Sequence, residues 1–256
     1  MVLLSWRQRR KYMYLSAVGV LLVVALVFIW GTFFTTQPTC FDNQRNGNEL
    51  EVDCGGSCAL VCQITAREPV VLWARAFKNR EDSYTAAAYI QNNNRGAGAK
   101  EVGYMFRLFD ADNSLIVERR GTTDIPPLQV VPIIESNILV GNRAVVRTQL
   151  IFTSVPVWML VPSEKVYPLT LTKQTLSPEE SRLSAFVNND TVSDAKRVTV
   201  AAILFDAEGV ARAASKSFIE NISRKSSQQV VFTWPEDAAL LGADITRGEI
   251  TILQSF

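Results

Sequence analysis

The chain contains no histidine. That removes the commonest general base and metal ligand near neutral pH. Cysteine is scarce and crowded: Cys40, Cys54, Cys58 and Cys62 all fall within 23 positions, so no intersheet disulfide is available to the rest of the sequence. Excess charge of one sign is lacking too. With 26 Lys+Arg against 25 Asp+Glu, the chain has none of the broad basic surplus that a nucleic-acid partner requires. There is no Gly-rich phosphate loop, no nucleophile elbow and no carboxylate pair in a recognisable setting. These absences point away from an enzyme, and no catalytic residue is assigned.

What is present begins with a long apolar run. Residues 12–34 carry no charge over 23 positions. As a helix they span ~34 Å at ~1.5 Å per residue, enough for a hydrocarbon core of ~30 Å. Tyr12 and Tyr14 stand at one end and Trp30 at the other, where amphipathic rings favour the membrane interface. Arg7, Arg9, Arg10 and Lys11 precede the run with no acid before residue 40, so a net charge of +1 leaves the remainder at −3. The positive-inside rule then makes 1–11 a cytoplasmic tail and 12–34 a span in contact with the bilayer, with everything beyond it exported. A cleaved signal peptide fits less well, because the run is too long and ends without a small-x-small site. Gln37-Pro38-Thr39-Cys40 is not a lipobox. A run apolar on every side is also a poor helix for a soluble core.

The cysteines follow as C-x13-C-x3-C-x3-C. Zinc sites show paired C-x2-4-C arms, and the first arm here has only Cys40. After an export signal, two disulfides are expected within 40–62, and three pairings remain open. Cross-links would replace a core there, since Phe41, Leu50, Val52, Leu60 and Val61 are its only large apolar residues. Gly55-Gly56 allows a tight turn. Asp42, Asn46, Glu49 and Asp53 supply oxygens of the kind calcium favours. The alternative reading is that Asp, Asn and Gly are turn formers, and the spacing does not match an EF-hand loop. The sequence from Cys40 to Cys62 resembles the Cys-Asp-Gly…Asn-Gly…Glu…Val-Asp-Cys-Gly-Gly…Cys…Cys motif of many exported surface proteins, with Asn43 in place of the usual Gly. That resemblance implies an extracytoplasmic disulfide module and no activity.

An internal repeat organises the remainder. Ala88-Tyr89-Ile90-Gln91-Asn92-Asn93 reads against Ala185-Phe186-Val187-Asn188-Asn189-Asp190. Phe106-Arg107-Leu108-Phe109-Asp110 reads against Ala202-Ile203-Leu204-Phe205-Asp206. The offsets, 97 and 96 residues, define a duplicated unit of domain size. Val102, Tyr104, Phe106 and Leu108 alternate with Gly103, Met105 and Arg107, the period of a half-buried strand. Val198, Val200, Ala202 and Leu204 share that phase, and turns close each strand at Asp110-Ala-Asp-Asn and Asp206-Ala-Glu-Gly. Further strands are expected over 70–77, 86–91, 115–119, 144–153, 169–174, 184–187, 228–234 and 249–254. The fold class is all-β: two tandem immunoglobulin-like β-sandwiches, 65–160 and 163–256. Phe106 and Leu108 are expected in the first core and Leu204 in the second.

Phe106-x-Leu108-Phe109-Asp110 resembles the signature of the FxLYD domain family, with Phe for Tyr. The second copy keeps Leu204-Phe205-Asp206 but has Ala202 in place of the Phe. The resemblance implies an immunoglobulin-like sandwich in an exported envelope protein, without catalytic residues. A proline-punctuated linker is expected over 161–168, with Trp158-Met159-Leu160 at the domain junction or on an exposed patch. Residues 125–135 show no counterpart in the second copy and are the first candidate for a partner site; an edge strand ended by prolines is the alternative.

The function expected is that of a non-enzymatic, membrane-anchored surface or envelope module that engages another envelope protein. The alternatives are an adhesin, or a ligand- or calcium-responsive subunit of a larger membrane complex. Asn189-Asp-Thr and Asn221-Ile-Ser are glycosylation sequons in a host that uses them.

Overall fold

The computed structural model describes residues 6–33, 38–80, 82–162, 169–234 and 245–253. The chain divides into two compact units, Met1–Ser57 and Cys58–Phe256. The first contains helix α1 (Trp6–Phe33). Within Trp6–Gly31, 18 consecutive residues reach a mean hydropathy of 2.5 and none of them is buried, so the helix is long and apolar enough to cross a membrane. The helix starts ahead of the apolar run because Arg and Lys are themselves good helix formers.

The second unit is built from strands. The first copy contributes β1 (Val70–Arg80), β2 (Ser83–Gln91), β3 (Ala97–Phe109), β4 (Leu115–Ile125), β5 (Val130–Leu139), β6 (Arg147–Phe152) and β7 (Trp158–Leu160). The second contributes β8 (Leu169–Ser177), β9 (Arg182–Asn189), β10 (Ala195–Asp206), β11 (Ala211–Ile222), β12 (Ser226–Thr233) and β13 (Ile245–Leu253). All described pairings are antiparallel, and the protein is all-β beyond its N-terminal helix. The first copy forms sheets β1-β2-β5 and β4-β3-β6, with β7 added to β3; the second forms β8-β9-β12 and β11-β10-β13. The two strand orders are the same.

The duplication reaches the backbone. Glu101 and Arg197, Asn113 and Gly209, and Leu128 and Lys225 all have positive φ, at offsets of 96, 96 and 97 residues. Glu101 sits at a register shift within β3, whereas β10 keeps its register from Lys196 to Val198. Asn113 and Gly209 close the repeated Asp turn, whose last residue must be left-handed, a role Gly and Asn fill at least cost.

Three apolar cores lie between the sheets. Phe106, Leu108, Ile90, Ile125 and Trp158 fill the first sandwich, and Leu183, Val187, Val200, Leu204 and Phe232 the second. The third core joins the copies: Ala87 and Ile134 pack with Ala201, Ile203, Phe205, Ala211 and Ala214. Along β2, Ala86 and Ala88 serve the first core while Ala87 serves the third. Along β10, Val200, Ala202 and Leu204 serve the second while Ala201, Ile203 and Phe205 serve the third. Because successive side chains point to opposite faces, sheets β1-β2-β5 and β11-β10-β13 are covered on both sides, and the four sheets stack in one series.

Three expectations change. Trp158 lies at neither a junction nor an exposed patch: it is buried in the first core, on a short strand paired to β3. Residues 125–135 do have a counterpart. They form the β4–β5 turn and the start of β5, matching β11–β12, and Ile125 and Ile222 are both buried. The insertion impression came from Pro126, Pro127 and Pro132, absent from the second copy. The two sandwiches also share a core, which their separate repeats did not reveal. Most of the expected linker, 163–168, lies outside the described residues.

Candidate functional site

Around the cysteines, the carboxylates of Asp42, Glu49 and Asp53 accept local hydrogen bonds. All four cysteines are oxidised, in two disulfides. Gly55 and Gly56 have φ of 75° and 60°, and a Cβ on Gly56 would stand 2.1 Å from the Asn48 carbonyl oxygen, so only glycine fits. The candidate calcium ligands serve as caps. The Asp53 carboxylate accepts the N–H groups of Asp42 and Asn43 at 3.0 and 2.9 Å. Glu49 accepts the Asn46 N–H at 3.1 Å. Asp42 accepts the Asn46 side-chain amide at 2.9 Å and the Gln44 N–H at 3.0 Å. The Asn46 bond, followed by the Thr39 N–H, holds the Asp42 carboxyl below its ordinary value. Asn46 Oδ1 is buried and accepts no hydrogen bond among the described residues. In the second unit, residues 59–61 run beside β7: Val61 N–H donates to Trp158 O at 2.9 Å and Leu160 N–H to Ala59 O at 2.7 Å.

The joint between the sandwiches has a polar rim. Tyr89 Oη donates to Glu249 Oε2 at 2.8 Å, and Lys216 Nζ donates to the Ile134 carbonyl at 2.9 Å. Burial, reinforced by the Glu249 bond, pushes the Tyr89 phenol up, so it stays a donor. Trp73 packs on Tyr89 with ring centroids 4.9 Å apart, and the Arg247 guanidinium lies 4.7 Å from the Phe205 ring centre.

Beside this joint opens a cleft of about 620 Å³. Part of the sequence-derived candidate segment lines it, including Pro132 and Ile134 of β5. The first sandwich contributes the acids Glu101 and Asp124, and the second contributes the cations Arg197 and Lys216. Glu101 and Arg197 are equivalent residues of the two copies with opposite charge, and their left-handed backbone sets both at the cleft. The volume lies within the range of about 300–1,000 Å³ usual for ligand sites, but the cleft is open and its lining mixes polar and apolar groups about evenly.

The copies differ where their two sheets meet at the open side. In the first sandwich, Tyr104 Oη donates to Glu135 Oε1 at 2.7 Å and Arg119 Nε donates to Glu135 Oε2 at 3.1 Å, tying sheet β4-β3-β6 to β5. By strand register the counterparts are Val200, Ser215 and Phe232, which cannot form that bridge. The second sandwich instead carries a groove of about 650 Å³ between β11 and β12, with Phe218 at 58% exposure on its lip. Sequence reasoning missed Tyr89, Lys216 and Phe218, and held Glu135 only as the end of the 125–135 segment. Comparing the copies position by position would have singled out Phe218 and Glu135.

No protein-family model matches the chain, and no curated protein matches it. The FxLYD and surface-motif resemblances therefore rest on the residues quoted for them.

Proposed function

We propose that the protein is a single-pass membrane-anchored module, with the N-terminus cytoplasmic and two fused β-sandwiches presented outside the membrane for binding to other envelope or surface proteins. The observation that carries this reading is an exposed apolar helix of membrane-spanning length followed, between Cys40 and Cys62, by four fully oxidised cysteines, since disulfides persist in oxidising compartments. The FxLYD-like signature agrees with an exported sandwich. The absence of histidine from the chain and the engagement of Asp42, Glu49, Asp53 and Glu249 in local hydrogen bonds support a non-enzymatic role. Cross-linking in native membranes, with a photoreactive residue at Gln129 in the cleft, tests the reading. A discrete envelope-protein adduct is expected, and its loss on Arg197→Glu supports the cleft as the contact. Labelling by cytoplasmic proteins alone overturns it.

One observation favours a calcium-responsive variant of this reading: the buried, unpartnered Asn46 Oδ1 beside an Asp42 carboxylate held ionised. Stoichiometric calcium in the purified ectodomain, lost on Asp42→Asn, would support it. A metal-free ectodomain whose stability ignores calcium rejects it.

A further inference from the structure

Beside the joint, β11 is an edge strand of sheet β11-β10-β13. Residues Ser217 through Asn221 line the groove toward β12, and Lys216 through Phe218 line the cleft. Successive strand residues point to opposite faces, so unbroken runs along two cavities mark the strand's edge. Among the described residues β11 pairs along its length only with β10. The Tyr104–Glu135–Arg119 bridge that closes the corresponding side of the first copy has no counterpart here. An open edge bearing an exposed aromatic is a template for strand addition.

The sequence of that edge is self-complementary. Lys216, Phe218 and Glu220 share one face of β11. Antiparallel pairing of two β11 edges about a two-fold axis at Phe218 sets Phe218 opposite Phe218 of a second copy, and Lys216 opposite Glu220 in both directions. Directly opposed side chains in such a ladder lie about 4.5–5.5 Å apart at Cβ, where unlike charges and aromatic pairs stabilise. Lys216 keeps its bond to the Ile134 carbonyl and has further N–H donors to spare. Glu220 forms no ion pair among the described residues. The equivalent residues of the first copy, Arg120, Thr122 and Asp124 by register and offset, contain no apolar centre.

The geometry points to a homodimer in which two chains pair edge to edge through β11, joining their inner sheets into one six-stranded sheet and leaving each cleft beside the dimer axis. This goes beyond the membrane-module reading and stands without it, because the pairing involves only the sandwich unit. Sedimentation of the full chain in detergent micelles should give a dimer. Lys216→Glu should convert it to a monomer by setting like charges opposite, and the double exchange Lys216→Glu with Glu220→Lys should restore the dimer. Phe218→Cys should form an intermolecular disulfide, and Thr122→Cys, its counterpart in the first copy, should not. A monomeric full chain overturns the inference. So does a dimer indifferent to Lys216→Glu, since helix α1 alone would then account for it. Circular dichroism of each variant separates misfolding from dissociation, and the charge exchange tests the register even if one single variant folds poorly.

Discussion

Asn92 and Asn189 do the same work in the two copies. Each is buried, and each points its side-chain amide at two carbonyls across a sandwich end: Asn92 Nδ2 donates to Ala97 O and Pro126 O at 2.8 Å, and Asn189 Nδ2 donates to Ser193 O and Ile222 O at 2.9 Å. Their Oδ1 atoms accept the N–H two residues on, from Asn94 and Thr191. The offset of 97 residues seen in the sequence is thus a shared clamp that holds the β4–β5 turn and its β11–β12 counterpart.

Replacing either clamp by alanine leaves buried carbonyls and an N–H without partners. Each unsatisfied buried group costs about 1–3 kcal/mol, so Asn92→Ala and Asn189→Ala should each lower the urea midpoint of the ectodomain distinctly. Asn189→Asp should do the same despite its similar size, because a carboxylate cannot donate to Ser193 and Ile222. The same burial excludes Asn189 as a glycan acceptor in the folded chain, whereas Asn221 is exposed.

The Asp turns make stability acid-sensitive. The Arg143 bond, then the Ser114 N–H, hold Asp110 below its ordinary value. At Asp206 burial works the other way, but the Val210 N–H and Arg212, whose Nε donates at 2.6 Å, outweigh it and the carboxyl is again lowered. A folded-state value below the unfolded one means the stabilisation is fully present above the ordinary carboxyl value of 3.8 and lost as pH falls through the folded value. Denaturation midpoints should therefore hold from pH 7 down to about 4 and fall below it. Arg143→Ala and Arg212→Ala should flatten that acid limb.

The shared core makes a distinction that separate sandwiches would not. Leu204→Ala truncates a side chain of the second core, at a typical cost of about 2–5 kcal/mol. Ala201→Leu instead overfills the joint, costing about 1–3 kcal/mol. Hydrogen exchange should report loosening confined mainly to β8–β13 for the first substitution, and in β2 and β5 as well for the second. If Ala201→Leu leaves β2 and β5 unchanged, the joint does not form in solution.

Much of this fold was legible. The β3 alternation and its echo in β10 gave the phase of both cores, and Phe106, Leu108 and Leu204 are buried as expected. The repeated Asp turn was visible because Asn and Gly mark the left-handed position. Strands β5 and β11 were less legible for physical reasons. Pro132 within β5 reads as a strand breaker, although an edge strand tolerates it. In β11 the third core is served by Ala211 and Ala214, too small to register as an apolar face. The stack itself was hidden because the second apolar faces, Ala87 on β2 and Ala201, Ile203 and Phe205 on β10, mark burial on both sides without saying which sheet covers them. Part of the candidate partner segment lines the cleft, but the acids, cations and aromatic that share it come from strands far apart in sequence.

Reduction should leave the sandwiches intact, since no sheet contains a cysteine. With a mild reductant, far-ultraviolet circular dichroism and the thermal transition of the ectodomain should persist while four thiols become alkylatable. Collapse of the β signal on reduction would mean that the cysteine segment holds the sandwiches together.

The most direct test of the central claim is the sidedness of the chain in living cells. A reporter active only in the cytoplasm should be active when fused ahead of the Arg7–Lys11 cluster and silent when fused after Phe256, and neutralising Arg7, Arg9, Arg10 and Lys11 should weaken that bias. An active reporter behind Phe256 in the unaltered chain would place the sandwiches inside the cell and contradict the account.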